Sequence, residues 1–464
     1  DEPPFIDATG TLAGALLGDV RHDPFQSGAD LATPAHERVE PGAVHRANKG
    51  VLYIDEIRML RMEEQQALLV AMQEKELSIS GRSERSSGAL TKSEPVPTDF
   101  ILIAAGNLDS IQNMHPALRS RIRGYGYEVY VNTDMRDTER NRRRLIRFIA
   151  QEVNNEIKKG SGRPIPHFDR GSTSLILKEA QRRSGRRGKL SLRLRELGGL
   201  VRIAGDLAAE EGAELTCADH VTRARMIAKP LEQQVADRYL ERQAEYAMLV
   251  NRGNRVGRVN GLAVLGADSG LSDYSGVVLP VEAMVTPAQG MSGKVIATGG
   301  LSDLANESVI NISAVVKKLT GKDIKDYDLH VQFPGTHNVD GDSASITMAT
   351  AIISAFEGVP IEQNLAMTGS LSVRGEILPV GGVTAKIEAA AKSGIAKVVI
   401  PRANLQDVLV DEKWEKQVKV LPVDSLDEVL EHALVGAEEK VSLVERLAMV
   451  IDTISKGTDT QPSA

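Results

Sequence analysis

The stretch GVLYIDEI, residues 50–57, decides how the first part of the chain is read. Four apolar residues in a row, Val51 to Ile54, are too few for a helix and suit a short strand buried on both faces. Two carboxylates, Asp55 and Glu56, close it. The following RMEEQQALLVAMQEKEL, residues 61–77, spaces its apolar positions three and four apart, as an amphipathic helix does. ELSISG (76–81) then alternates like a hairpin strand, SSGALTKSEPVPTD (86–99) reads as a loop, and FILIAAGN (100–107) reads as a second buried strand. Strands alternating with a helix predict an α/β layer.

Working outward, residues 1–48 are polar and rich in Gly and Pro, which predicts an irregular lead-in. From about 140 to 240 the pattern is helical throughout, and beyond 245 it changes to Gly-rich strands such as VGRVNGLAVLG and GVVLPVEAMV. A helix is expected from Glu307, a strand at DLHVQFPG, a hairpin around Arg374 and Gly375, an Ala-rich helix ended by Gly394, and a strand at AKVVIP. These changes of texture divide the chain into 1–150, an α/β core; 151–245, a helical domain; 246–436, an α+β domain; and 437–464, a C-terminal helix and tail.

The 464 residues carry 63 acidic against 56 basic side chains, a net charge of -7, so the chain as a whole lacks the basic excess of a nucleic-acid binder. Aromatics make up only 3 %. The single cysteine, Cys217, excludes an internal disulfide and a thiolate zinc site. Apolar runs stay well short of the roughly 20 residues that span a bilayer. The opening DEPPFIDATG has neither an initiator Met nor a signal pattern, so a reading frame that begins part-way is expected.

A strand ending in Asp-Glu suits nucleotide chemistry: Asp55 can sit near a phosphate-bound Mg²⁺ while Glu56 orients an attacking water. An exposed strand end that merely carries charge is the plainer alternative. Asn107, at the end of the second strand, could sense a γ-phosphate, and Arg121 in HPALRSRIRG or Arg195 in LRLREL could reach a phosphate from a neighbouring subunit or domain. No G-x-x-x-x-G-K-[ST] occurs in the chain, so either this module is degenerate or, as the opening of the chain favours, the phosphate cradle is expected upstream of Asp1.

NVDGDSASITMATAIISAF, residues 338–356, places Ser343 in a small-residue turn before an apolar helix, where backbone amides could face an oxyanion. His330 and His337 are near in sequence, but Lys386 in GGVTAKIEAAAKSG shares a helix face with Val383, Ile387 and Ala390. Burial favours the neutral amine, which can serve as a base, and a serine-lysine pair needs no histidine. The residues alone leave a second reading open, in which Ser343 or Asp342 only caps the helix and Lys386 snorkels from an apolar face.

Taken together, KGVLYIDEI, AAGN, HPALRSRIRG, DGDSAS, MTGSLSVRGEILPVGG and VTAKIEAAAKSG resemble the Lon family of ATP-dependent proteases, in its archaeal, membrane-anchored B type. The resemblance covers about residues 35–435. It implies a partial AAA+ ATPase core (α/β) with an all-α lid, followed by an α+β Lon-type proteolytic domain. It implies Ser343 as nucleophile, Lys386 as general base and Thr368 as hydrogen-bond partner of the amine, with Asp340 and Glu282 as acidic neighbours able to tune the lysine. In the ATPase part it implies Asp55 and Glu56 as the Walker B pair, Asn107 as sensor 1, Arg121 as arginine finger and Arg195 as sensor 2, with Arg119 and Arg193 able to exchange with the last two. ATP and Mg²⁺, unfolded protein substrates, a homohexamer, and attachment to the cytoplasmic face of the cell membrane through a region outside this chain complete the expectation.

Three residues depart from the bacterial pattern or from common members: Asp342 in place of Pro before the serine, Gln332 in place of a second histidine, and Arg58 beside the metal site. The basic clusters RNRRRLIRF and RRSGRRGKLSLRLRE lack interleaved aromatics, which favours solvated or intersubunit helix faces and leaves weak nonspecific DNA contact as the lesser reading. A non-proteolytic AAA+ remodelling ATPase is the alternative function. Such a protein has no use for the serine and lysine segments.

Overall fold

The computed structural model describes residues 2–20, 38–80, 92–108, 111, 113–159, 164–246, 249–265, 275–288, 295–298, 312, 326–333 and 342–436. The chain divides into two compact units, 1–131 and 132–464. In the first, β1 (Phe5–Asp7), β2 (Val51–Ile54) and, further along, Ile101–Ala104 form a parallel sheet with β2 in the centre. The Gly- and Pro-rich lead-in therefore contains a strand. Its three residues are too few to show a period, and β2 supplies its pairing. Helix α1 (Met62–Glu74) buries Leu68 and Ala71, and Leu68 joins a core with Leu52, Ile54 and Leu118, the last from α2 (Pro116–Tyr125).

The loop expected around residue 92 is also a strand: β3 (Glu76–Ser80) pairs antiparallel with β4 (Lys92–Pro97). Pro95 and Pro97 argue against a central strand but are tolerated in a two-stranded ribbon. FILIAAGN forms β5 (Ile101–Ala104), yet it is an edge strand whose Ile101 is 66 % exposed among the described residues, where the apolar run predicts burial.

The second unit opens with β6 (Asp134–Arg136), followed by α3 (Glu139–Lys159), α4 (Arg170–Ser184), β7 (Lys189–Ser191), α5 (Leu194–Glu210) and α6 (Ala218–Ile227). A boundary at 150 falls inside α3, whose Ile149 and Val153 pack with Ile176, Leu200 and Val221, so this helix belongs wholly to the helical layer. β6 pairs with β7, which interrupts the all-helical stretch. Helix α7 (Leu231–Glu245), read from sequence with the helical domain, packs instead on the α+β domain: Ala236 joins the core of that domain and Gln243 donates to the carbonyl of Val278 at 3.0 Å.

The main elements that follow are β8 (Arg258–Leu265), β9 (Ser275–Pro287), β10 (Val295–Thr298), β11 (Tyr327–Gln332), α8 (Ser345–Glu357), β12 (Leu365–Met367), β13 (Ser370–Leu371), β14 (Ile377–Leu378), α9 (Val383–Lys392), β15 (Lys397–Pro401), β16 (Lys419–Val423) and α10 (Leu426–Ala433). Seven strands join in the order β10-β11-β9-β8-β12-β15-β16, antiparallel at β11-β9-β8 and parallel elsewhere. Alternation along the strands sends Val277, Leu279 and Val281 to the face covered by α8, and Val278 to the face covered by α9. Ile346, Met348, Ile352 and Ile353 of α8 are all buried, each contributing roughly 1.5–3 kcal/mol relative to exposure. The expected hairpin is β13-β14, with Gly375 at φ +92° in its turn. Asp340, His337, the helix from Glu307 and residues 437–464 lie outside the described residues, Ile312 of that helix excepted.

One close approach ties sheet to helix. A Cβ at Gly276 on β9 would lie 2.1 Å from the carbonyl oxygen of Ala385 and 2.9 Å from the amide of Lys386. Gly276→Ala is expected to cost about 1–3 kcal/mol by overpacking, read as a lower urea midpoint with unchanged slope. An unchanged midpoint would show that α9 moves aside freely.

Candidate active site

Ser343 lies in a single 3₁₀ turn, Asp342–Ala344, that leads into α8. The N-cap position of α8 is Ala344, and no side chain caps there, so Ser343 is not the capping residue. Its carbonyl is fixed from across the sheet: Gly369 N–H donates to it at 2.9 Å and Thr368 Oγ1 at 3.2 Å. Both donors directly follow β12. The turn is thereby pinned to the end of a central strand.

Lys386 comes from α9 on the opposite face of the sheet. Its side chain is 1 % exposed, and Nζ donates to Thr368 Oγ1 at 3.0 Å. The completely buried Thr368 thus accepts from the lysine and donates to the Ser343 carbonyl, and this one hydroxyl joins elements from the two faces. The Thr368 hydroxyl satisfies one donor of this buried amine. Ser343 is half-buried at the rim. The arrangement can supply an alcohol, a shielded amine and a fixed backbone turn.

Glu282 is half-exposed on β9 and forms an ion pair with its cross-strand neighbour Arg258 at 2.8 Å. Gln332 is its register partner on β11.

In the first unit, Asp55 follows β2 directly, and its backbone N–H donates to Thr9 Oγ1 at 3.0 Å. Thr9 sits in the DATG turn after β1, and nothing in the sequence beyond that Thr-Gly turn signal marks it. Asp55 Oδ1 accepts from Glu56 N at 2.8 Å, and Glu56 adopts φ +50°, a left-handed conformation uncommon for a residue with a side chain. Glu56 faces Arg58 at 3.6 Å, and its Oε2 is buried with no hydrogen-bond partner. Both carboxylates open on a cleft of about 420 Å³ shared with Thr11, Arg61 and Glu64.

Among the described residues no group of three or more His, Cys, Asp or Glu side chains is gathered as a metal site. A divalent ion at Asp55 would therefore take most of its shell from phosphate and water oxygens, as Mg²⁺ commonly does. Glu56 Oε2, 3.6 Å from Arg58 Nε and without a hydrogen bond, is able to accept one from a water there. Asn107 is exposed three residues past β5. Arg121 donates to the Met72 carbonyl at 3.4 Å and stacks 3.8 Å over the Tyr125 ring, whereas Arg119 pairs with Glu128 at 3.1 Å. Arg195 is exposed on α5 of the second unit, and Arg193 reaches Glu196 at 3.9 Å.

The basic clusters contribute many internal ion pairs: Arg142 with Asp137, Arg143 with Glu139, and Arg182 and Arg183 with Glu179. No helix of the described residues is long and apolar enough to cross a membrane.

The Lon protease (S16) C-terminal proteolytic domain matches residues 231–436, the archaeal LonB AAA+ ATPase lid domain matches 167–226, and the Sigma-54 interaction domain matches 26–119. The archaeal Lon protease of Thermoplasma volcanium is 57 % identical over 454 residues, covering 97 % of this chain and 68 % of the relative. That of Archaeoglobus fulgidus is 58 % identical over 445 residues, 96 % of this chain and 70 % of the relative. A more distant one, from Methanocaldococcus jannaschii, keeps 33 % identity over 464 residues, 92 % of this chain and 68 % of the relative. With lid and proteolytic domains matched in chain order and such identity sustained along nearly its whole length, this chain belongs to the archaeal Lon protease family.

Proposed function

We infer that this chain acts as an ATP-dependent serine endopeptidase in which Ser343 is the nucleophile and Lys386 the general base. The observation that carries the pair is the buried Lys386 amine held by Thr368, whose hydroxyl also holds the Ser343 carbonyl. Ser343 Oγ attacks the scissile carbonyl carbon as neutral Lys386 takes the hydroxyl proton. The tetrahedral oxyanion collapses, the peptide C–N bond breaks, and Lys386 returns the proton to the leaving amine. Water then hydrolyses the acyl-serine with Lys386 again as base. Backbone N–H groups of the 3₁₀ turn and of the start of α8 supply positive potential for the oxyanion.

The same reading sets this peptidase beside a nucleotide-binding AAA+ part, and the match to an AAA+ lid domain supports it. There Asp55 would hold Mg²⁺ together with nucleotide phosphates and Glu56 would orient water; Asn107, Arg121 and Arg195 are the proposed phosphate-sensing residues. Bound ATP supplies the free energy of a phosphoryl transfer, which the ring converts into unfolding. Unfolded or misfolded proteins as substrates, a homohexamer, Asp340 and Glu282 near the lysine, and attachment to the cytoplasmic face of the membrane through residues outside this chain belong to the same proposal. So does the division into ATPase, lid and proteolytic domains. The lid boundaries favoured by packing are about 132 and 230.

Cleavage of a fluorogenic peptide and of casein, each with and without Mg-ATP, tests this reading. Peptide cleavage independent of nucleotide supports the pair, whereas an assembled chain that cuts neither substrate would favour a remodelling ATPase. Thr368→Val keeps the side-chain shape but removes the acceptor for Lys386 Nζ. It is expected to lower kcat by about 10- to 100-fold with little change in KM; an unchanged kcat would remove Thr368 from the site.

A further inference from the structure

Glu388 stands two residues beyond Lys386 on α9 and so points away from the amine. It faces a cavity of about 370 Å³ behind the helix, bordered by Arg182, Arg193, Thr384 and Lys392. Its side chain is 12 % exposed and its Oε1 is buried with no hydrogen-bond partner among the described residues. Burial pushes its carboxyl above the ordinary range, and Arg182 is the largest opposing influence. The guanidinium of Arg182, on lid helix α4, lies 3.8 Å from Glu388 Oε2.

Arg182 is not free to wander. Its Nε is 3.1 Å from Glu179, a carboxylate only 3 % exposed that also binds Arg183 at 2.9 Å and Arg225 at 3.2 Å. Two bridges leave this knot for the proteolytic domain. Arg182 goes to Glu388 on the helix that carries Lys386, and Arg225 goes to Asp411 at 3.3 Å, in a segment that carries no candidate catalytic residue; Asp411 also attracts Arg182 and repels Glu388, so its removal does not weaken the ionised form of Glu388. On the sheet side of α9, Gly276 packs directly against the backbone at Ala385 and Lys386. The lysine-bearing turn thus lies between Gly276 of β9 and a charge anchored in the lid, with Thr384 of the same helix bonded to the Asp407 carbonyl and the Leu409 amide.

We propose that Arg182 and Glu388 are positioning residues for Lys386: their ion pair clamps α9 to the lid, so that a displacement of the lid is felt at the amine. This rests on the reading of Lys386 as the base. A partner held rigidly by Glu179 leaves Glu388 one low-energy position, and α9 is a single rigid helix, so fixing Glu388 fixes the Lys386 backbone two residues away.

Steady-state peptide cleavage by the full chain tests this with Glu388→Gln, Arg182→Gln, the double variant, and Asp411→Asn as the control that cuts the other bridge. Glu388→Gln and Arg182→Gln are each expected to lower kcat on the order of 10-fold with KM within about twofold, through misplacement of the amine. The double variant is expected to be no worse than either, because both remove one interaction. Asp411→Asn is expected to leave kcat unchanged. Equal losses in Asp411→Asn would make the bridges a general tether, and multiplied losses in the double variant would make the two residues independent; either overturns the proposal, as does an unchanged kcat in Glu388→Gln. Should Glu388→Gln not fold, Arg182→Gln and the charge-keeping Arg182→Lys carry the same test from the lid side, with loss expected in the first and recovery in the second. Lys386→Ala in parallel separates the two levels: activity surviving it refutes the base itself, while its loss alongside unaffected clamp variants refutes only the clamp.

Discussion

Ser343→Ala is expected to lower cleavage of an unstructured peptide by at least about 10³-fold, and Lys386→Ala to match it, with the double variant no slower than either. The non-additivity follows because the alcohol and the amine act on one proton; removing either ends the step. Ser343→Ala should leave thermal stability nearly unchanged, since its hydroxyl is at the rim of the site and its anchoring bonds run through the main-chain carbonyl. Lys386→Ala should also destabilise, because it empties a fully buried volume and strips Thr368 of a donor. Comparable activity in wild type and Ser343→Ala would end the assignment, and would return Ser343 to the role of a turn residue.

Acid should unlock the lid through Glu179. Burial alone would raise this carboxyl, but Arg182, Arg225 and Arg183 outweigh it and hold the group at about 2, against an ordinary glutamate value of 4.5. Because the folded value is depressed, the stabilisation is complete above about 4.5 and is lost as pH falls toward about 2. A difference of that size corresponds to roughly 3 kcal/mol. Glu179→Gln is therefore expected to cost about 3 kcal/mol at pH 7, with a gap to wild type that narrows steadily between about pH 4.5 and 2. Denaturant unfolding at a series of pH values reads this directly. A gap that stays constant with pH would mean that the loss comes from packing, and the charge knot would not be what holds α4, α6 and the proteolytic domain together.

Periodicity identifies the elements that are long or bounded by strong punctuation: the helix after Asp55-Glu56, the hairpin closed by Gly375, and the Ala-rich helix ended at Gly394. It misses β1, β4 and the β6-β7 pair. Three of these four strands have only three residues, all four carry a charged side chain and β4 carries two prolines as well, so their stability resides in the partner strand and not in a local period. The same limit explains FILIAAGN, where an apolar run signals a strand but not its place at the edge among the described residues. It also explains the boundary at 150, since α3 and the polar stretch before it look alike until Ile149 and Val153 are seen to pack with Val221.

For the site, the amino-acid sequence by itself determined which side chains carry chemistry: a serine in a small-residue turn, a lysine on the apolar face of a helix, a strand closed by two carboxylates, and the order of segments that marks the family. Residue type and local spacing are sequence properties, and they suffice for that. Only the tertiary structure decided that α8 and α9 cover opposite faces of one sheet and that the turn before α8 and the lysine of α9 meet at Thr368. It also decided that Glu282 engages Arg258, and that Glu388 is tied to the lid through Arg182. These are contacts between segments tens to hundreds of residues apart. They are selected by which strands pair and which faces are buried, and no local pattern in the chain encodes them.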